Sequence, residues 1–309
     1  MIVVFGSINL DLVARVATLP TPGATLHARA FATSPGGKGA NQALAARRAG
    51  AEVALFGSVG RDAFAAAALT LIRASGIDVG GVHEHDVSTG IALIHVDDAG
   101  ENAITIVAGA NTHAASASIP DEMLGASTTV LLQFETPASE SLAVAKRAKA
   151  RGARVILNCA PARALDFEWL PVIDVLIANA GEAAVIAGPF NMAADPAAFA
   201  EAIASHYGIV AIVTLGAQGV VAASATARYA LPALSVNVID TVGAGDAFSG
   251  VLAAALDRGD PLPVALVSAT AAGALACTRE GAQSALAFAA DIANAARLLG
   301  DRLRVTPRR

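Results

Sequence analysis

Gly243, Ala244 and Gly245 stand directly before Asp246 in the run Asp240–Gly250, DTVGAGDAFSG, and the alanine-rich segment VLAAAL follows at once. Small residues ahead of an apolar run predict the start of a helix. Its first amide groups lack intrahelical partners and carry the positive end of the helix dipole, which is the chemistry of an anion site. Asp246 lies in the same turn. A carboxylate repels phosphate, so it fits the role of a base that takes a proton from an attacking hydroxyl better than that of a phosphate ligand. A glycine turn with an aspartate N-cap is the plainer alternative for these residues taken alone.

A second polar cluster lies in SPGGKGANQALAARRAGA, residues 34–51. Gly36, Gly37 and Gly39 would let the backbone approach a ligand closely, and a helix from about Ala40 to Gly50 would hold Lys38 and Asn41 at its entrance. The spacing G-x-x-x-x-G-K-[ST] is not matched there or elsewhere, so this is not a P-loop. A third group follows the short β-branched run Ile2–Phe5. Asn9 and Asp11 sit just beyond that strand, where an amide and a carboxylate could read sugar hydroxyls or could simply form an Asx turn. The loop offers Gly6 without the rest of G-x-G-x-x-G, which counts against a nicotinamide dehydrogenase.

The elements that must position these groups can be read from periodicity. Strand and helix alternate after Phe56: helix over Asp62–Ser75, strand over Thr129–Gln133, helix over Pro137–Arg151, strands over Arg154–Asn158 and Val175–Ala178, helix over Asp195–Tyr207 and strand over Ile209–Thr214. Such alternation specifies a mostly parallel sheet covered on both faces. Val220–Ala223 and Thr226–Leu231 read as an antiparallel hairpin at its edge, and the remainder as mostly helical. Leu12–Phe31 and Ile91–Val107 contain short strand pieces without intervening helices, so they are expected to form a small antiparallel sheet standing off the body as a lid. No repeat or linker divides the chain, and residues 1–309 are expected to fold as one domain plus this lid.

Composition narrows the function classes. Of 309 residues, 55% are hydrophobic, much of that alanine, which suits closely packed helices on a sheet. A net charge of −5 argues against nucleic acid as a partner. The basic end, Arg302, Arg304, Arg308 and Arg309, reads as a solvated tail. No secretory or membrane-spanning segment is evident, Val264–Cys277 reading as a buried helix, and the 2 cysteines, Cys159 and Cys277, read as buried small residues and suit the cytoplasm. His83 and His85 flank Glu84 without a zinc pattern and read as solvated.

GGKGANQALAARRAGA and DTVGAGDAFSGVLAAAL together resemble the paired signatures of the PfkB, or ribokinase-like, carbohydrate kinases. The likeness continues through PTPG (Pro20–Gly23), STG (Ser88–Gly90), AGAN (Ala108–Asn111), QFETP (Gln133–Pro137), NCAPA (Asn158–Ala162), Asn179-x-x-Glu182 and TLGAQG (Thr214–Gly219), and is strongest to the ribose-phosphorylating members. The resemblance implies the α/β fold of that family and transfer of the ATP γ-phosphate to a sugar hydroxyl, O5 of ribose. It makes Asp246 the base and Gly243, Ala244 and Gly245 the anion hole. Asn9, Asp11, Gly37, Lys38, Asn41 and Glu135 would hold the sugar. Asn179, Glu182, Thr214, Gly216, Gly219, Gly245 and Thr270 would line the nucleotide, with Glu182 toward Mg²⁺.

An activating K⁺ would rest on Asp240, Val242, Ala276, Arg279 and Gly281. There the family has a serine after GAQ reached through a proline, whereas this chain reads GAQSA, with Ser284 one position early. Thr270 replaces a larger polar or ring-bearing residue near the adenine. In such kinases the lid also forms a dimer contact, so a homodimer is implied. Kinases for 2-deoxyribose, fructose, tagatose or a nucleoside share the same base and anion hole. Against a nucleoside stands a lid in which only Phe31 is a prominent aromatic. A non-catalytic sugar-binding protein would be expected to lose the base or the glycines.

Overall fold

The computed structural model describes residues 1–190 and 192–308. Its main sheet begins with β1 (Ile2–Phe5), whose four residues are all buried, as expected of a strand covered on both faces. Beside it lie β4 (Val53–Gly60) and then β5 (Asp78–His85) on one side. On the other side follow β8 (Thr129–Leu132), β9 (Arg154–Asn158), β10 (Val175–Asn179) and β11 (Val210–Thr214). These strands are all parallel. The hairpin of β12 (Val220–Ala223) and β13 (Ala227–Leu231) continues the sheet antiparallel, and β14 (Arg304–Pro307) closes that edge.

Alternate residues of the strands feed two cores. Ile2, Val4 and Leu55 pack with α1 (Lys38–Arg48), α2 (Ala63–Ala68), α3 (Thr70–Ala74), α7 (Ala244–Asp257), α8 (Leu262–Ala276) and α9 (Ala289–Arg297). Val3, Phe5 and Leu157 pack with α4 (Ala138–Ala150), α5 (Ala180–Ala187) and α6 (Pro196–Tyr207). The expected mostly parallel sheet with helices on both faces is therefore what forms. Among the described residues no helix is long and apolar enough to cross a membrane, and Val264–Cys277 falls mostly within the core helix α8.

The lid is a separate four-stranded sheet in the order β3-β2-β6-β7: β2 (Asn9–Arg15), β3 (Ala30–Gly36), β6 (Gly90–Val96) and β7 (Asn102–Val107). Two antiparallel hairpins join through the parallel pair β2–β6, with Asn9 opposite Gly90. Its strands reach back to Asn9 and forward to Gly36, beyond the expected bounds, so Asn9 and Asp11 belong to the lid sheet itself.

Three readings are corrected. The helix expected over Asp62–Ser75 is two, α2 and α3, divided at Leu69. The basic end is no free tail, because Arg304–Pro307 pairs with β13 and Arg308 donates through Nη1 to the Ser224 carbonyl (2.6 Å); Arg309 lies outside the described residues. Cys277 is half-buried rather than buried. His83 and His85 lie on the edge strand β5, which the sequence hid because Gly80 and Gly81 break its pattern; a Cβ on Gly81 would sit 2.0 Å from the Phe56 ring. Among the described residues no group of three or more His, Cys, Asp or Glu side chains is arranged to hold a metal.

On the helical side of the sheet, α7 passes α1 so closely that a Cβ on Gly250 would lie 2.4 Å from the Gln42 carbonyl oxygen. The first turns of the two helices are thereby brought together.

Candidate active site

α7 begins with Gly243 as its N-cap, in the left-handed region at φ 78°. Glycine is required twice over, since a Cβ there would also approach Ala282 Cα to 2.9 Å. Among the described residues no group accepts from the amides of Gly243, Gly245 or Asp246, and nothing lies within 4 Å of a Cβ placed on Gly245. The first turn thus offers uncommitted N–H groups at the positive end of a 14-residue helix, the electrostatics of an anion site.

Asp246, in that first turn, is buried, with 7% exposure. Asn41 Nδ2 donates to its Oδ2 at 2.9 Å, and Gln42 Nε2 to its Oδ1 at 2.8 Å. Two successive residues of α1 therefore clamp both carboxylate oxygens. Asn41 Oδ1 is left buried without a partner.

The other predicted sugar residues converge here. Asp11 projects from the lid; burial, reinforced by Glu135 and Asp246, raises its pKa from 3.8 to about 6. Gly36 makes room for it, because a Cβ there would lie 2.4 Å from Asp11 Oδ1. Glu135 is held by Ser7 Oγ (2.5 Å) and by the Lys38 amide (3.1 Å). The Lys38 ammonium is held charged chiefly by Asp246, against burial, with Glu135 and Glu182 adding to the effect. Asn9 Oδ1 accepts from Asn111 Nδ2 at 2.7 Å, which leaves the Asn9 amide nitrogen for a ligand.

Gly37 and Gly39 are required by the backbone geometry at the entrance to α1. At φ 87° Gly37 turns the chain into α1, and a Cβ on Gly39 would lie 2.5 Å from the Gly6 carbonyl carbon.

Asn179 and Glu182 form a capping box on α5: Asn179 Oδ1 accepts from the Glu182 amide (2.8 Å), and Glu182 Oε2 from the Asn179 amide (2.7 Å). Burial raises the Glu182 pKa, although the Asn179 bond and Lys38 oppose it. Thr214 ends β11 opposite Asn179, and Gly216 (φ 56°) and Gly219 (φ 101°) shape the turn beyond. Thr270, on α8, donates its hydroxyl to the Leu266 carbonyl of its own helix (2.8 Å).

The Asp240 carboxylate ties the expected cation loop together. It accepts from the Val242 amide (3.0 Å) and from the Gly281 amide (2.9 Å). Among the described residues the carbonyls of Val242, Arg279 and Gly281 accept no loop or cap hydrogen bond, so three neutral oxygens remain for a weakly charged cation. Ser284 does not fit the set, since its hydroxyl donates to the Glu280 carbonyl (2.7 Å).

Sequence reasoning missed Ser7, Gln42, Asn111, Gln133 and Asn158 as parts of this site. Gln133 and Asn158 were visible as polar residues at the carboxyl ends of apolar strands, the signal that exposed Asn9 and Asp11.

The pattern of the pfkB family carbohydrate kinases matches residues 1–288 of this chain. A ribokinase of Haemophilus influenzae is 36% identical over 289 residues, covering 92% of this chain and 94% of that protein. A solved ribokinase structure from Thermotoga maritima superposes with a TM-score of 0.88 at 32% identity, covering 96% of this chain and 99% of that one. Another, Arabidopsis thaliana ribokinase complexed with ribose and ATP, gives 0.86 at 29% identity over 96% of this chain and 98% of that one.

Proposed function

The chain belongs to the pfkB family of carbohydrate kinases, and from that premise we propose that it phosphorylates ribose at O5. The observation that carries the reading is a buried carboxylate, Asp246, clamped by Asn41 and Gln42 beside the open amides of Gly243 and Gly245. Asp246 accepts the proton as the sugar oxygen forms its bond to the γ-phosphorus and the bond to the β,γ-bridging oxygen breaks, releasing ADP. The first-turn amides neutralise charge developing on the phosphoryl oxygens. Lys38 adds a positive charge at the same place.

Asn9, through its free amide nitrogen, and the carboxylates of Asp11 and Glu135 bind the sugar hydroxyls; the lid closes over them and excludes water. Asn179, Thr214, Gly216, Gly219 and Thr270 line the nucleotide. Glu182 Oε1, free of the capping box, would hold Mg²⁺, which when bound offsets charge on the phosphates. The carbonyls of Val242, Ala276, Arg279 and Gly281, with Asp240, would hold K⁺. We place the protein in the cytoplasm, where Cys159 and Cys277 stay unpaired.

The test is ADP release with Mg-ATP and K⁺ across ribose, 2-deoxyribose, fructose, tagatose, adenosine and uridine. Ribose should give a kcat/KM at least tenfold above the others. Another leading sugar would refute the substrate but not the chemistry, and no turnover with any would refute ribose and point to an untested substrate or to a non-catalytic sugar-binding protein.

The lid also supports a homodimer. Val13, Ala32, Ile94, Ile104 and Ile106 share one face by register, with Ile104 and Ile106 50% and 53% exposed. An apolar face of this kind joins a second copy of itself. Sedimentation should show a dimer at micromolar concentration and a monomer for Ile104→Glu/Ile106→Glu; a monomeric parent chain would refute the interface.

A further inference from the structure

We infer that Gln42 and Gln133 form a relay of side-chain amides that sets the orientation of Asp246, making both of them positioning residues for phosphoryl transfer. The inference rests on Asp246 as the base. Gln133 follows β8 directly, and its Nε2 donates to Gln42 Oε1 at 2.8 Å; Gln42 Nε2 then donates to Asp246 Oδ1 at 2.8 Å and approaches Asn158 Oδ1 at 3.3 Å. Gln42 and Gln133 are 0% exposed, so neither amide contacts solvent.

The direction of the chain follows from chemistry. An ionised carboxylate can only accept, so Gln42 must turn its NH₂ toward Asp246 and its carbonyl oxygen toward Gln133. Gln133 must in turn present its own NH₂. One consequence is unfavourable: Gln133 Oε1 is buried with no partner. An amide held this way gives up one hydrogen bond to keep the other pointing along the relay. The backbone accommodates the arrangement as well, since a Cβ on Gly6 would lie 2.1 Å from Gln133 Oε1.

Asn41 holds one oxygen of Asp246 and Gln42 the other, so the carboxylate cannot rotate about its terminal bond. Its remaining lone pairs keep a fixed aim while the sugar hydroxyl approaches. Asn41 alone would fix one oxygen and leave rotation possible. Gln42 sits on α1 and Gln133 at the end of β8, so the plane of the base is referred to the parallel sheet itself.

The test uses the full-length protein and steady-state kinetics with Mg-ATP and the best sugar. Gln42→Leu should lower kcat at least 30-fold while the KM values for sugar and ATP stay within threefold, and Gln133→Leu should lower kcat three- to tenfold. If the two act through one chain, the double variant loses no more than Gln42→Leu alone. A folded Gln42→Leu with kcat within twofold of the parent, a KM that rises in step with the loss, or losses that multiply would each overturn the relay.

Gln42→Met keeps the length of the side chain without its amide, so it decides the matter should the leucine variant fail to fold: kcat should again fall at least 30-fold with both KM values within threefold, and a kcat within twofold of the parent would overturn the inference. An active Asp246→Asn would refute the base itself. An inactive Asp246→Asn beside a fully active Gln42→Leu would refute only the relay.

Discussion

Asp246→Asn should lower kcat by about 10³-fold, within the range that general bases supply, while the sugar binds within about threefold of its original affinity. The variant should fold. Asn41 and Gln42 both donate to this side chain, and an asparagine brings one oxygen and one NH₂, so one of the two donors would meet another donor. Asn41 Oδ1 is buried and unpartnered, so the Asn41 amide can reverse and accept from the new NH₂. Calorimetric titration with sugar separates binding from chemistry. Turnover above a tenth of the parent rate would remove Asp246 as the base, and lost binding would make it a sugar anchor instead.

Asp11→Asn should raise the sugar KM about 100-fold, because charge-assisted bonds to hydroxyls contribute roughly 1.5–3 kcal/mol. It should also stabilise the protein at pH 7.5. Burial and the neighbouring Glu135 and Asp246 raise the Asp11 pKa from 3.8 to about 6, so ionised Asp11 is a penalty on the folded state. Above pH 6 the carboxylate is charged in both folded and unfolded chains and the penalty is fully present. It fades as pH falls through 6 and is gone below 3.8, where both states are neutral.

At about 1.4 kcal/mol per pKa unit, relaxation included, the variant should gain roughly 1–2 kcal/mol above pH 6 and nothing near pH 4. Parallel pH series of melting temperature and sugar KM check both halves. The parent KM should also rise as pH drops below 6. A variant less stable than the parent at pH 7.5 would refute the penalty, and an unchanged KM would take Asp11 out of the sugar pocket.

The sequence made the centre of the site legible because helix starts and strand ends carry local signals. Asp246 and the glycines before it could be read from one turn, and Asn9 and Asp11 from the end of one apolar strand. Gln42 could not be read in this way. It lies mid-run in an alanine-rich helix, and its partners Gln133 and Asn158 are far away in sequence, so only the α1–α7 crossing at Gly250 gives it a role. In the fold, the βα alternation was visible, but β5 and β14 were not. Both are edge strands whose conformation is imposed by a neighbour, and their own residues carry little apolar alternation.

The contact between Asn111 and the start of β2 has a thermodynamic consequence. Asn111 Oδ1 accepts from the Ile8 amide (2.9 Å), while its Nδ2 donates to both the Ile8 carbonyl (3.3 Å) and Asn9 Oδ1 (2.7 Å). One side chain therefore grips the strand that leads into the lid and aims the Asn9 amide nitrogen, the group proposed to meet the sugar. A shift of that strand re-aims Asn9, so strand position and sugar affinity share one coupling free energy. Reciprocity makes the bound sugar bias the strand as strongly as the strand biases the sugar, and Asn111 is the residue through which that energy passes.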